Sequence, residues 1–165
     1  WQGWNPTQML GTHVTGKTAG IVGMGRIGRA IAQRLHYGFG MQILFHNRST
    51  LPQQTVPSRQ VADLTELMAL SDFVILAVPG GAGTHHLVDA DALAALGPEG
   101  IVINIARGDV IDEDALIAAL SAGRIRAAGL DVYAHEPLIP PELRAMENAV
   151  SPRATALTGA VPLRV

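Results

Sequence analysis

Three glycines stand at a spacing that can do chemistry. Gly23-Met24-Gly25-Arg26-Ile27-Gly28 follows directly on the apolar run of residues 18–22 and leads at once into a helical pattern. In that strand, turn, helix context the first glycine permits the tight turn, and the second lets a pyrophosphate approach the backbone. Gly28 lets the helix pack close to the strand. The free N–H groups of Arg26 and Ile27 then point at the phosphates, aided by the helix dipole. The expected ligand is a dinucleotide; the alternative is that the glycines serve only a tight βα turn.

A dinucleotide site also needs a group at the end of the second strand, about 20 residues on, to read the adenosine ribose. An acidic residue there would accept hydrogen bonds from a free 2′-hydroxyl. The sequence at that place is His46-Asn47-Arg48-Ser49-Thr50, with no carboxylate nearby. Arg48 can offer charge-assisted donors to a 2′-phosphate, and Asn47 and Ser49 can add neutral hydrogen bonds. The expected cofactor is therefore NADP, with NAD as the alternative in which Arg48 is a solvated loop residue.

The elements that would carry these groups read as an α/β fold. Short, almost wholly apolar runs at residues 18–23, 41–46, 73–78, 101–105 and 127–131 predict strands covered on both faces, and helical stretches lie between them. A helix over 26–37 has its apolar stripe at Ile27, Ile31 and Leu35 and ends at Gly38; another over 112–122 has Asp112 as N-cap and Leu116, Ile117 and Leu120 buried. Residues 47–62 read as a polar loop running into a short strand at 59–61, and 64–70 as a short helix. His85 and His86 are read at the start of a further helix. The fold class expected is a Rossmann-type doubly wound parallel sheet.

Composition bounds the rest. The 165 residues contain no cysteine and are 48% hydrophobic and 16% charged. That suits one domain that needs neither disulfides nor metal to fold, and no metal ligands are assigned. No apolar run approaches the roughly 20 residues that span a bilayer. Residues 1–10 have neither the basic start nor the apolar stretch of a signal peptide, so a cytoplasmic location is expected. The net charge of −2 conceals a partition. Residues 1–62 hold Lys17, Arg26, Arg29, Arg34, Arg48 and Arg59 with no Asp or Glu, whereas the remainder holds six arginines and all 14 carboxylates. The arginines are dispersed rather than clustered, so nucleic acid is not an expected partner.

The motifs together resemble the D-isomer-specific 2-hydroxyacid dehydrogenases, specifically their nucleotide-binding domain. The residues that carry the resemblance are Gly16-Lys17-Thr18 with the glycine turn, Asn104-Ile105-Ala106-Arg107-Gly108 with Asp112-Glu113, and Gly129-Leu130-Asp131-Val132-Tyr133 with Glu136-Pro137. The His-Asn-Arg-Ser stretch is most similar to the NADPH-using glyoxylate and hydroxypyruvate reductases of that family. The resemblance implies that Arg107 grips a 2-keto acid's carboxylate and that Glu136 pairs with a histidine acid. A carboxylate beside an imidazole raises its pKa, so that it can protonate the forming alkoxide. It also places Ala106 and Asp131 near the cofactor and Val78, Pro79 and Thr84 in a loop over it, and it implies a homodimer. The alternatives are a structural arginine bonded to loop carbonyls, a surface carboxylate before a proline, and a plain strand-end turn.

Two departures stand beside the resemblance. The family's histidine lies in a Pro-His pair, whereas this sequence reads Asn148-Ala149-Val150-Ser151-Pro152-Arg153, and an arginine does not release its proton. The family's substrate-binding domain, built from segments on either side, is absent from this chain. Residues 1–165 are thus expected as one dinucleotide-binding domain, with 1–16 a dimer-arm remnant and 149–165 an atypical tail. The expectation is a fragment, truncated product or isolated domain, impaired in reducing a 2-keto acid; the alternative is a non-catalytic nucleotide-binding or regulatory module.

Overall fold

A computed structural model describes residues 11–150. Seven parallel strands form one sheet: β1 (Thr18–Val22), β2 (Gln42–His46), β3 (Ser58–Gln60), β4 (Phe73–Leu76), β5 (Ile101–Asn104), β6 (Ala127–Leu130) and β7 (Ala149–Val150), in the order β3-β2-β1-β4-β5-β6-β7. The chain winds outward from β1 to β3, crosses back to β4 beside β1, and winds outward again. The crevice between the carboxyl ends of β1 and β4 is therefore a topological switch point, where open α/β sheets bind ligands. Ala149 and Val150, at the head of the expected tail, belong to the sheet through β6.

The period-2 alternation of strands divides the core into two layers. Ala19, Ile21, Ile43, Phe45 and Ile75 face one side, where Ala32 of α1 (Arg26–Phe39) is buried and Ile31 and Leu35 pack against the cluster. Val22, Leu44, Val74, Leu76 and Val102 face the other, under α2 (Leu64–Ala69), α3 (Ala90–Leu96) and α4 (Glu113–Ser121). A last short helix, α5 (Pro141–Ala145), precedes β7 and buries Leu143. Among the described residues no helix is long and apolar enough to cross a membrane.

The starts of the first four helices separate into two kinds. Asp63, Asp89 and Asp112 cap α2, α3 and α4, accepting from Glu66 N–H at 2.7 Å, Ala92 N–H at 2.9 Å and Ala115 N–H at 3.1 Å. Each such cap is worth about 1 kcal/mol. At α1 the N-cap is Gly25, with no side-chain cap and no acidic residue in the first turn.

Three expectations are corrected here. Gly38 does not end α1; the helix runs on to Gly40, whose φ of 63° lets its N–H return to the carbonyls of His36 and Leu35. Ile27 leaves the buried stripe and is 61% exposed. His85 and His86 lie in a turn, with His86 at φ 47°, and α3 begins only at Ala90 behind the Asp89 cap.

Candidate functional site

The turn after β1 is shaped by close approach. Gly23 has φ 99°, and a Cβ there would sit 2.7 Å from the Ala77 carbonyl oxygen; a Cβ at Gly28 would overlap the Gly23 carbonyl oxygen. These two glycines let β1, α1 and the end of β4 converge. Gly25 differs: its φ is an ordinary −79°, and a Cβ there would meet nothing within 4 Å. The fold itself places no demand for glycine at 25, and the uncapped N–H groups of α1 open beside it.

Next to this turn, β2 ends in the loop expected to read a ribose. Asn47 Oδ1 accepts the Met24 N–H at 3.3 Å, which ties the loop to the glycine turn. The Asn47 amide lies 3.4 Å from both the carbonyl and the hydroxyl of Ser49. Arg48 is exposed and makes no hydrogen bond or ion pair with the described residues. From β3, the Gln60 amide reaches the same loop: Nε2 donates to Ser49 O at 2.9 Å and lies 3.4 Å from Asn47 O, while Oε1 accepts from Leu51 N–H at 3.0 Å.

Two clefts adjoin at the switch point and share the wall formed by residues 77–81. The first, about 460 Å³, brings together Gly23, Gly25, Asn47, Arg48, Ser49, Val78, Pro79 and Thr84, and no carboxylate lines it. The Thr84 hydroxyl donates to Pro79 O at 2.8 Å, with Gly81 O at 3.2 Å, and so closes the loop that forms the far wall. The second cleft, about 770 Å³, is lined by Ile27, Val78, Pro79, Ala106, Arg107 and Asp109 among others. Arg26 and Ile27 occupy the first turn of α1, Ile27 turning its exposed side chain into the second cleft. Gly28 is buried beneath the turn and lines neither cleft.

Arg107 follows β5 in a loop fixed by one buried side chain. Asn104, 1% exposed, donates from Nδ2 to Arg107 O at 2.9 Å, and its Oδ1 accepts from Ala106 N–H at 3.0 Å. Its own carbonyl takes the Asp131 N–H at 3.0 Å, so the loops after β5 and β6 share an anchor. A Cβ at Gly108 would overlap the backbone of Tyr133, which shows how closely those loops pack. Glu113 Oε2 accepts from Ala134 N–H at 3.2 Å and ties the second loop to α4.

The side chains of Arg107 and Glu136 both turn to main chain. Arg107 Nη1 donates to Ala106 O at 2.7 Å, while the residue stays exposed. Glu136 Oε1 accepts from Tyr133 N–H at 3.1 Å. Asp131 and Glu136 line neither cleft. Arg153 lies outside the described residues. Asn104, Glu113 and Gln60 hold these loops although spacing gave them no such role. The signal for Asn104 was its place at the end of an apolar strand, where a buried amide needs partners.

A parallel sheet of this strand order, with glycines at the switch point and an uncapped helix behind them, defines a dinucleotide-binding domain. The chain belongs to the family described as "D-isomer specific 2-hydroxyacid dehydrogenase, NAD binding domain", which it matches over residues 1–152. It is 52% identical over 130 residues to a glyoxylate/hydroxypyruvate reductase B of Klebsiella pneumoniae, covering 78% of this chain and 40% of that protein. Among solved structures it is similar to the NADPH-dependent glyoxylate/hydroxypyruvate reductase of Sinorhizobium meliloti in complex with NADP and malonate. That match has a TM-score of 0.79 and 42% identity over 86% of this chain and 43% of the other. It is also similar to the holo form of Rhodotorula graminis D-mandelate dehydrogenase, with a TM-score of 0.83 and 36% identity over 87% and 43% of the two chains. The chain thus spans less than half the length of these relatives.

Proposed function

We propose that this chain is the cofactor-binding part of an NADPH-dependent reductase of 2-keto acids, of the glyoxylate or hydroxypyruvate class. The observation that carries the reading is the first cleft: uncapped helix, glycine turn and an arginine without a partner among the described residues, with no carboxylate on its walls. A dinucleotide fits these residues. Gly25 leaves open space where a phosphate needs it, and the N–H groups of Arg26 and Ile27 would hold the phosphates. Asn47, Arg48 and Ser49 would hold the phosphorylated ribose, with Val78, Pro79 and Thr84 as the opposite wall. Ala106 and Asp131 would flank the nicotinamide end. The cofactor, when bound, supplies the hydride.

In this reading the protein's part is geometry and charge. Arg107, at the carboxyl end of β5 and facing the shared wall, would exchange its bond to Ala106 O for two parallel bonds to a substrate carboxylate. Glu136 would orient the proton-donating imidazole that the family resemblance implies. Its hydrogen bond to Tyr133 N–H supports the role by holding the carboxyl in one place. Arg153 cannot serve as the acid, and a missing general acid removes about 10²- to 10⁴-fold in rate. The same reading carries one domain over residues 1–165, a cytoplasmic location where a reductase draws on reduced dinucleotide, and a homodimer.

The test is a paired calorimetric titration with NADPH and NADH, alongside turnover of glyoxylate and hydroxypyruvate. Tight NADPH binding, weaker NADH binding and negligible turnover by the 165-residue chain are expected. Equal affinity for the two dinucleotides would overturn the cofactor assignment, and robust turnover would overturn the impairment. A non-catalytic nucleotide-binding module is the second reading, favoured by Arg153; recovery of turnover in Arg153→His would exclude it.

A further inference from the structure

We propose that Gln60 is a positioning residue for dinucleotide selectivity. It bridges the edge strand β3 to the loop of residues 47–51 and holds Arg48 and Ser49 where they favour a 2′-phosphorylated ribose. The proposal rests on the reading of Asn47, Arg48 and Ser49 as the ribose-binding loop.

The hydrogen bonds of Gln60 fall on both sides of the residues it would position. Its amide donates to Ser49 O at 2.9 Å with Asn47 O at 3.4 Å, and its oxygen accepts from Leu51 N–H at 3.0 Å. The Leu51 N–H can only donate and the Ser49 carbonyl can only accept, so the network fixes which end of the amide is which. One planar group thereby spans the backbone around Arg48 and Ser49. Arg48 itself bonds to none of the described residues, so its placement is inherited from that backbone.

The platform under Gln60 is anchored to the strand that feeds the loop. Gln60 lies opposite Phe45 in the parallel register, Val61 N–H donates to Phe45 O at 2.8 Å, and His46 Nδ1 lies 3.2 Å from Val61 O. A loop already ordered before binding loses less of its interaction energy to ordering. That gain falls mainly on the ligand that uses Arg48 and Ser49. The free 2′-hydroxyl of NADH would have little to lose when the loop slackens. A merely structural staple would weaken both dinucleotides alike.

The experiment measures NADPH and NADH affinity by calorimetry for the unaltered chain, Gln60→Met, Gln60→Glu, Arg48→Ala and the Arg48→Ala/Gln60→Met double variant, with a thermal melt of each. Methionine follows the same path without donors or acceptor. Glutamate keeps the acceptor for Leu51 and loses the donors, and it serves where the methionine variant does not fold. The expected result is a 5- to 20-fold loss of NADPH affinity in each Gln60 variant, with NADH changed less than twofold. Gln60→Met should add less than twofold in the Arg48→Ala background, because coupled residues are not additive. Equal losses for both dinucleotides, an unchanged NADPH preference, or a full Gln60→Met effect without Arg48 each overturn the proposal. A chain with no NADPH preference, or one that Arg48→Ala leaves unchanged, instead overturns the ribose reading itself and the Gln60 role with it.

Discussion

The helix start on the cofactor side of the switch point and the loops on the Arg107 side are built on opposite plans. On the first, the groups that would meet a ligand are backbone N–H groups left open by geometry: α1 starts without the aspartate cap that α2, α3 and α4 each possess. On the second, the loops are closed by side chains bonded to main chain, with Asn104 on Ala106 and Arg107, Glu113 on Ala134 and Glu136 on Tyr133. A phosphate site can be made by omission, because an unfilled helix end is itself the binding group. A site that must aim an arginine needs positive construction.

The contrast can be broken most sharply within the glycine turn. Gly28→Ala should cost about 2–4 kcal/mol in denaturant unfolding, since its Cβ overlaps the Gly23 carbonyl. Gly25→Ala should change stability by less than about 0.5 kcal/mol and still weaken dinucleotide binding at least tenfold. If both variants destabilise alike, the open space at Gly25 has no ligand meaning.

On the constructed side, Asn104→Ala leaves the Ala106 N–H and Arg107 carbonyl without their partner. A loss of about 2–3 kcal/mol by chemical unfolding is expected, with NADPH affinity little changed. Arg48→Ala is the mirror case: NADPH affinity should fall about 10- to 100-fold while the melting temperature stays put. Arg107→Ala, in the same titration, should move NADPH affinity less than about threefold. An Arg107 effect as large as that of Arg48 would erase the distinction between the two sides.

The smallest effect lies at the opposite end of β1. Burial pushes the Asp72 carboxyl up, but the Thr18 N–H at 2.9 Å and the Lys17 ammonium at 3.0 Å outweigh it and hold the group below its ordinary value. A lowered folded-state value contributes stability at neutral pH that is lost as pH falls through it. Because both side chains are about a third or more exposed, the contribution is well under about 1 kcal/mol. Asp72→Asn should therefore flatten the acid limb of the stability curve and leave the cofactor titration unchanged.

Local patterns announced the cofactor side better than the loops that hold it. The glycine spacing, the apolar run before it and the missing carboxylates are all visible within residues 18–50, and the structure brings Gly23, Gly25, Asn47, Arg48 and Ser49 to one cleft, with Gly28 buried beneath the turn. Gly38 misled because a helix tolerates an interior glycine at about 1 kcal/mol; the true terminator needed the left-handed φ that Gly40 adopts. Ile27 matched the helical stripe by spacing, but a first-turn residue beside a cleft is not covered by the sheet. Gln60 lies 11 residues from Ser49 on a three-residue edge strand, so only the parallel pairing of β2 and β3 reveals its reach. Asp89 carried the same capping signal as Asp112, and reading it would have placed the start of α3 past the two histidines.

The carboxylate-free first 62 residues also bear on time rather than affinity. Of their six positive charges, Arg26 in the first turn of α1 and Arg48 on the first cleft lie beside the turn where α1 opens, whereas Lys17 and Arg59 pair with Asp72 and Glu66. A polyanion approaching the first cleft, whose walls carry Arg48 and no carboxylate, would meet an attractive potential before it meets any donor, so its encounters would be steered there. Added salt screens that long-range pull over roughly 10 Å at 0.1 M and leaves short bonds largely intact. Arrival would slow with ionic strength while departure keeps its pace, and the charge partition becomes a control on how quickly the cleft fills.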